Sequence, residues 1–292
     1  MPLLELVHYL NRQNRANYGP EIAPADGLSV IPAGVVGNAH DLVLRSVFQP
    51  LVSIRGRHVI GHEALLRAEA ADGHALTAAD VFRVPERPEQ LVYLDRLCRT
   101  LHALNYLQQT RNGEGVLFLN IEARHVKAVA SGHGLVFETI LKRCGLSPER
   151  IFFELRADDI EPDSALVEAL AAYRSRGYRI AIDQAGPGLT ADLLERLKPE
   201  LVKFDVRKLA RWRGAGSAEA QAATVAAACR AAGAEIAATH VATSADLSLA
   251  RAYGVDFLQG HFLAPPAPLL RQDDYADTAL NLDAVALASI RD

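Results

Sequence analysis

The architecture of this chain is set by two apolar runs, Phe48-Gln49-Pro50-Leu51 and Gly61-His62-Glu63-Ala64-Leu65-Leu66-Arg67. Phe48 to Ile54 and His58 to Leu66 have the composition of short strands. Between them, Arg55-Gly56-Arg57 supplies the glycine that a tight turn tolerates. The sequence therefore predicts two consecutive strands joined by a turn.

Two charged side chains stand out in the second run. Glu63 lies on the predicted strand or at its mouth, which is where a parallel α/β protein places its chemistry. Arg67 follows the apolar run, where a planar guanidinium can hold a phosphate or a carboxylate through two hydrogen bonds. The alternative is an exposed Glu–Arg pair that contributes little to stability.

Six further β-rich runs alternate with Ala- and Leu-rich helical stretches along the chain. They are Val116–Leu119, Ile151–Leu155, Tyr178–Ile182, Leu201–Phe204, Glu235–Ala238 and Asp256–Leu258. This alternation is typical of a parallel sheet or a barrel. With the first two runs the count is eight, the number that closes a (β/α)8 barrel. We therefore predict an α/β fold built on an eight-stranded barrel.

The two ends of the chain differ in composition from the middle. In residues 1–42, Leu3–Leu10 could form a short helix, whereas Tyr18–Gly37 is rich in Gly, Pro and Ala and is interpreted as an extended arm or linker. The barrel is expected over residues 43–268. A C-terminal tail with a weak helix is expected over residues 269–292.

Composition excludes several classes of function. The 292 residues carry a formal charge of -4, which gives no overall attraction for nucleic acid. Three widely spaced cysteines show no metal-binding spacing and fit a reducing cytoplasm. No apolar run is long enough to span a membrane, and Glu5 interrupts the N-terminal apolar patch. A cytoplasmic protein without membrane contact is expected.

Polar residues end six of the predicted strands. They are Glu63, Asn120, Glu154, Asp183, Lys203 and Gln259. In a barrel these side chains converge at one end, where three carboxylates and an amide oxygen suit Mg²⁺, Mn²⁺ or Ca²⁺. Each residue also has a structural alternative when taken singly. Asn120 could cap a loop, Glu154 could pair with Arg156 or Arg179, and Lys203 could pair with Asp205.

The order of these motifs resembles the EAL domain of bacterial cyclic di-GMP phosphodiesterases. The resemblance covers roughly residues 45–268 and rests on Phe48-Gln49-Pro50, Glu63-Ala64-Leu65-Leu66-Arg67, Leu94-Asp95-Arg96, Asn120, Phe153-Glu154-Leu155, Ile182-Asp183, Lys203 and Gly254-Val255-Asp256-Phe257-Leu258-Gln259-Gly260. It implies a modified TIM barrel, usually dimeric, that binds cyclic di-GMP at the C-terminal face of its strands. In active members, two divalent metals activate a water that opens one phosphodiester bond.

The resemblance also assigns roles to individual positions. The ligands of the first metal correspond to Glu63, Asn120, Glu154 and Asp183. The phosphate-gripping arginine corresponds to Arg67, and positions that contact phosphate or guanine correspond to Gln49, Asp95 and Gln259. Lys203 corresponds to a catalytic residue and would act as one only if some activity remains.

Several positions depart from the family's pattern. Gln184 stands where active members have the second of two aspartates, and Thr239 and Ala242 stand where they have glutamates. Arg156 and Ala157 replace a Thr-Glu pair and add a cation to a site that needs anions. These departures remove carboxylates that would offset the repulsion between two metal ions, so we expect at most one Mg²⁺ or Mn²⁺.

The sequence keeps the ligand-contact positions of the family but loses several of its acidic catalytic positions. Three functional hypotheses follow from this difference. The first is a nonhydrolytic cyclic di-GMP receptor or regulator that passes occupancy to a protein partner. The second is a catalytically dead protein-interaction module that does not bind nucleotide. The third is a slow, metal-dependent cyclic di-GMP phosphodiesterase. Homodimerisation is an expectation from the family alone, because the loop that follows Gln184 is among the altered parts.

Overall fold

The computed structural model describes residues 2–110, 115–122, 124, 126, 135–160, 164–186, 188–212 and 217–271. The helices in chain order are α1 (Leu3–Tyr18), α2 (Ala78–Val81), α3 (Pro88–Leu107), α4 (Leu135–Cys144), α5 (Ser164–Ser175), α6 (Ala191–Leu197), α7 (Val206–Trp212), α8 (Ser217–Ala231) and α9 (Ser244–Ala252). The strands are β1 (Leu28–Ile31), β2 (Gly34–Ala39), β3 (Leu42–Ser53), β4 (Val59–Ala70), β5 (Ala75–Leu76), β6 (Val116–Asn120), β7 (Ile151–Arg156), β8 (Arg179–Asp183), β9 (Leu201–Asp205), β10 (Glu235–Thr239) and β11 (Phe257–Leu258).

Eight of these strands form a closed barrel in the order β3-β11-β10-β9-β8-β7-β6-β4, which the β3–β4 pairing completes. The predicted α/β barrel and its eight strands are therefore confirmed. Neighbours from β4 through β6 to β11 run parallel, whereas β3 is antiparallel to both β4 and β11. The direction of β3 follows from the tight turn that joins it to β4, because a short turn can link only antiparallel strands.

The inside of the barrel is filled by one layer of apolar side chains. Successive residues of a strand face opposite sides, so every second residue faces the interior. Seven of the barrel strands each place one buried residue in this layer. Its buried members are Leu51, Phe118, Phe152, Ala181, Leu201, Ala237 and Phe257. The rings of Phe118 and Phe152 stack with centroids 4.6 Å apart. This apolar layer closes the barrel below the strand ends, so the polar residues above it face a solid floor.

The N-terminal residues are built into the same sheet. β1 and β2 form an antiparallel hairpin that pairs with the first residues of β3, and α1 packs beside it in a separate apolar cluster. The prediction of an extended arm over Tyr18–Gly37 is wrong, because Leu28–Ile31 and the first residues of β2 pair as strands. Pro32 lies in the turn between these strands, whereas Gly34 and Gly37 lie within β2 itself. Residues 272–292 of the predicted tail lie outside the described residues.

Two buried asparagines hold the N-terminal hairpin in place. The side-chain amide of Asn11 donates to the carbonyl of Leu28 at 2.8 Å and accepts from its N–H at 2.9 Å. Asn105 on α3 bonds both backbone groups of Val35 in the same way, at 2.8 Å each. Each amide therefore satisfies two buried backbone groups that would otherwise be costly to leave unpaired. Among the described residues, no helix is both long and apolar enough to cross a membrane.

The Asn105→Ala variant should lose about 1–3 kcal/mol of unfolding free energy, because Val35 then buries an unpaired donor and acceptor. Gln108→Ala at the end of the same helix is the matched control, since the Gln108 side chain donates to the carbonyl of Leu104 within its own helix, at 3.4 Å. Urea denaturation of both variants measures the difference. Equal losses in the two variants would contradict the role given to Asn105.

Candidate functional site

The polar site is the next inward layer above the apolar floor of the barrel. Phe118, Phe152 and Ala181 belong to the floor, and the residues two positions later face the same way. The same spacing applies to the other strands that supply the site. The layer consists of Glu63, Asn120, Glu154, Asp183, Lys203, Thr239 and Gln259. Strand register fixes its neighbours, since Asn120 lies opposite Glu154 and Arg156 lies opposite Asp183.

The ammonium of Lys203 is the centre of this layer. It donates to Glu63 Oε2 at 2.9 Å and forms a close ion pair with Glu154 Oε1. The Lys203 and Glu154 side chains are both 0% exposed, so this pair is screened little by water. The ammonium also lies over the Phe118 ring, 5.0 Å from its centroid. Lys203 therefore neutralises part of the carboxylate cluster.

Glu63 links the two sides of the site. One carboxylate oxygen accepts from the Asn120 amide at 3.1 Å, and the other accepts from the Gln259 amide at 2.9 Å. Gln49 lies opposite Glu63 in the strand register and donates to the carbonyl of Ala264 at 3.1 Å. The alternative partner proposed for Lys203 is wrong, because Asp205 instead forms hydrogen bonds with Arg207. The alternative ion pairs of Glu154 with Arg156 or Arg179 are also wrong, because its charged partner is Lys203.

Burial and charge move the pKa values of the four ionisable groups in different directions. Burial, with the charge of Glu63, raises the pKa of Glu154 well above its usual value. Burial also acts to raise the pKa of Glu63, but the Lys203 ammonium and the amide hydrogen bonds outweigh it and lower that pKa. Burial raises the pKa of Asp183 despite the nearby ammonium. For Lys203, burial acts to lower the pKa, and the three carboxylates outweigh it and raise it.

The oxygen atoms of the polar layer can be compared with the ligands that a divalent metal ion requires. The buried Glu154 Oε2 has no hydrogen-bond partner among the described residues, as expected for an oxygen that awaits a cation. Glu63, Asn120 and Asp183 add the hard oxygen donors that Mg²⁺ and Mn²⁺ prefer. In the part of the chain that the structure describes, however, no three His, Cys, Asp or Glu residues are grouped as a preformed metal site. The donor types suit a divalent ion, which would compete with the Lys203 ammonium for the same carboxylates.

A pocket of about 890 Å³ opens above the polar layer, within the size range of small-molecule sites. Its wall carries four arginines, Arg67, Arg83, Arg124 and Arg156. Arg83 bonds Asp80 at 3.0 Å and Arg124 bonds Glu122 at 3.0 Å. Arg67 donates to the carbonyl of its neighbour Leu66 at 2.9 Å. The pocket thus combines a carboxylate floor with a cationic wall, which suits an anionic ligand.

Two residues that follow strand ends have a left-handed backbone. Gln184 after β8 has φ +55° and His240 after β10 has φ +60°, and both line the pocket. Such angles are uncommon outside glycine and often mark functional positions. The Nδ1 atom of His240 lies 3.2 Å from Thr239 Oγ1 and 3.6 Å from Asp205 Oδ2. Sequence reasoning missed this feature, for which a polar residue directly after a strand was the only signal.

The departures from the family's pattern have definite places in the structure. Thr239 is buried, and its hydroxyl donates to the carbonyl of Phe204 at 3.3 Å. The N–H of Ala242 donates to Asp246 at 3.0 Å at the start of α9. Ala157 begins a short 3-10 helix directly after β7. None of these three side chains supplies a carboxylate to the pocket.

Asp95 is the predicted ligand contact that the structure places elsewhere. It is 1% exposed, forms a buried ion pair with Arg99 one turn along α3, and accepts from the N–H of Glu122 at 3.2 Å. The Arg99 guanidinium packs over the rings of Phe137 and Phe153, with centroid distances of 5.2 and 5.3 Å. Asp95 therefore orders the loop after β6 rather than facing the pocket. The other predicted site residues meet at or just below the pocket floor and wall.

Replacing Lys203 with Met should lower the free energy of unfolding by about 3–5 kcal/mol near pH 8, because it leaves buried carboxylates without a cation. The pKa of Glu63, which Lys203 holds low, then rises, and the already raised pKa of Glu154 rises further. A carboxyl with a raised folded-state pKa stabilises the fold at low pH and loses that contribution as pH rises through the folded value. The loss should therefore be smaller near pH 5 than near pH 8.

Chemical denaturation at the two pH values measures this loss. Lys142→Met is the control, because Lys142 is 69% exposed and pairs with Glu138 on the surface, a contact worth about 1 kcal/mol or less. A loss for Lys203→Met that is equal at both pH values would contradict the charge cluster described here.

Comparison with known proteins places this architecture in a family. The family model described as EAL domain matches residues 40–266. The Bacillus subtilis (strain 168) protein YkuI, described as an uncharacterized EAL-domain containing protein, is 25% identical over 250 residues, which is 83% of this chain and 59% of YkuI. This chain therefore spans less than two thirds of the length of YkuI.

Solved structures share the fold. The crystal structure of YkuI in complex with cyclic di-GMP and calcium has a TM-score of 0.70 at 22% identity, covering 85% of this chain and 61% of YkuI. The PaMucR phosphodiesterase in complex with cyclic di-GMP has a TM-score of 0.66 at 23% identity, covering 77% of this chain and 92% of PaMucR. A manganese and cyclic di-GMP complex of Klebsiella pneumoniae BlrP1 has a TM-score of 0.63 at 21% identity, covering 77% of this chain and 56% of BlrP1. Because the family match spans well over half of the sequence, this chain belongs to the EAL domain family.

Proposed function

We propose that this chain binds cyclic di-GMP without hydrolysing it and acts as a receptor in cyclic di-GMP signalling. Three relatives in fold are described as complexes with this nucleotide. The chain carries a pocket of suitable size whose arginine wall complements the two phosphodiester charges of the ligand. Arg67, Gln49 and Gln259 all line this pocket and are proposed to contact the nucleotide.

The observation that carries the nonhydrolytic part is that two positions near Asp183 hold neutral side chains. Its neighbour at the end of β8 is Gln184, and the inward residue at the end of β10 is Thr239, whose hydroxyl is committed to a backbone carbonyl. Two dications about 3.5–4 Å apart repel by roughly 17 kcal/mol at an effective dielectric of about 20. Carboxylates must offset this repulsion, and neither residue supplies one.

One divalent ion remains compatible with the proposal. Glu63, Asn120, Glu154 and Asp183 would hold it, and it would supply positive charge to a phosphate oxygen. Lys203 keeps the carboxylates of Glu63 and Glu154 neutralised when the ion is absent. A receptor of this kind needs a protein partner that reads its occupancy, and that partner is part of the proposal.

A slow phosphodiesterase is the second candidate, favoured by one observation. Glu63, Glu154, Asp183 and Lys203 are all present in a single cluster, so part of the hydrolytic arrangement of the family is retained. Formation of linear dinucleotide with Mn²⁺ that Glu63→Ala abolishes would support it over the receptor.

Isothermal titration calorimetry with cyclic di-GMP tests the binding. The chain should bind the nucleotide, and Arg67→Ala should weaken binding by about tenfold or more, because a hydrogen bond to a charged group is worth about 1.5–3 kcal/mol. Arg12→Ala on the exposed face of α1 is the control and should bind as the unaltered chain does. No heat of binding at high micromolar nucleotide would contradict the proposal.

A further inference from the structure

Arg156 occupies an unusual place at the mouth of the barrel. It is the last residue of β7, and it follows Glu154 by two residues and Phe152 by four, so it faces the same side as both. In the register it lies directly opposite Asp183. It lines the pocket together with Asp183 and Gln184. A cationic residue therefore lies at the pocket wall, opposite Asp183 in the strand register.

The guanidinium of Arg156 carries donors that the described residues leave unused. Its closest carboxylate oxygens belong to Asp159, at 3.8 Å, and Asp158, at 4.0 Å. Both distances exceed hydrogen-bonding range, and all three side chains are about half exposed or more, so these pairs contribute little. No side chain or backbone group among the described residues accepts a hydrogen bond from Arg156. Its five N–H donors therefore remain for a ligand.

The other pocket arginines differ in this respect. Arg83 and Arg124 each bond a carboxylate of their own, at 3.0 Å, and Arg124 also donates to the carbonyl of Phe82 at 2.9 Å. Arg67 donates to the carbonyl of Leu66 at 2.9 Å. Within the part of the chain that the structure describes, Arg156 has no such bond, so its whole guanidinium fork is available to an oxyanion.

The balance of charges in the pocket indicates what Arg156 could do. Five carboxylates line the pocket, from Glu63, Glu122, Glu154, Asp159 and Asp183, against four arginines. A phosphodiester that approaches the end of β8 would meet Asp183 unless a cation stood beside it. Two of the relatives whose complexes are described contain calcium or manganese with the nucleotide. In this chain a fixed guanidinium is available at that wall.

We propose that Arg156 binds a phosphodiester oxygen of cyclic di-GMP and supplies a fixed positive charge that makes binding independent of a divalent metal. The inference rests on the proposed nucleotide-binding function and extends it to a residue outside the family's pattern. A guanidinium cannot be removed by a chelator, whereas a metal can. Metal dependence of binding is therefore the property that distinguishes this role from a structural one.

The experiment is calorimetric titration of cyclic di-GMP in two buffers, one with Mg²⁺ and one with EDTA. The unaltered chain should bind with affinities that agree within about threefold in the two buffers. Arg156→Ala should bind about tenfold more weakly in EDTA, as expected for loss of a charge-assisted hydrogen bond. Mg²⁺ should restore part of that loss, because the ion can then supply the missing charge.

Two further variants make the result specific. Arg156→Gln keeps most of the side-chain stem and removes the charge. It should therefore lose affinity in EDTA as Arg156→Ala does, which would show that the loss comes from the charge and not from the shortened side chain of the alanine variant. Arg55→Ala, in the turn between β3 and β4, removes an arginine outside the pocket lining and should match the unaltered chain in both buffers.

Equal affinities of the unaltered chain and the two Arg156 variants in EDTA would overturn the inference while leaving the proposed function intact. A loss of binding by the unaltered chain on chelation would overturn it as well, because the metal would then supply the charge. Absence of binding by the unaltered chain in both buffers would instead refute the proposed function, and the inference with it.

Discussion

The buried ammonium of Lys203 is the interaction on which the site depends. It is fully enclosed, it pairs with Glu63 and Glu154, and it lies over the ring of Phe118 in the apolar floor. Carboxylates brought this close would repel one another strongly in a poorly hydrated site. The lysine reduces that repulsion at all pH values at which it is charged. A metal ion that binds Glu63 or Glu154 must also compete with the Lys203 ammonium for these carboxylates.

The alternation of side-chain direction along each strand places both the apolar interior of the barrel and the polar residues of the site. Apolar residues seal the interior, and the next inward residue on each strand is polar, so one alternation gives both the floor and the pocket. Gly260 shows how tight this arrangement is at the end of β11. A Cβ at that position would overlap the backbone of Val241, so glycine allows the strand end to approach the loop after β10 and seats Gln259 beside Glu63.

Much of this arrangement could be predicted from the sequence because it is local. The barrel strands β6 to β11 are short apolar runs with a polar residue at or next to their ends, and parallel strands bring those ends to one side. The N-terminal hairpin could not be predicted in this way. Its stability comes from Asn11 and Asn105, which lie 17 and 70 residues from their backbone partners, and single-sequence patterns carry no information on such pairings.

The position of Asp95 was mispredicted for a related reason. A motif match places it in a helix but does not say which face it occupies, and the i,i+4 spacing to Arg99 in an apolar helix was the available signal for a buried ion pair. The left-handed backbone of Gln184 and His240 is likewise set by the loops that follow the strands. The departures Gln184, Thr239 and Arg156 could be found from sequence, but whether their side chains reach the pocket required the structure.

The central claim, binding without hydrolysis, is tested most directly by identifying the nucleotide that the protein holds. The purified chain is incubated for hours with excess cyclic di-GMP and Mg²⁺ or Mn²⁺, and the bound nucleotide is then recovered by denaturation and identified by mass spectrometry. The account predicts that intact cyclic di-GMP is recovered, in proportion to the protein. Recovery of linear dinucleotide, or its steady accumulation in solution, would contradict it.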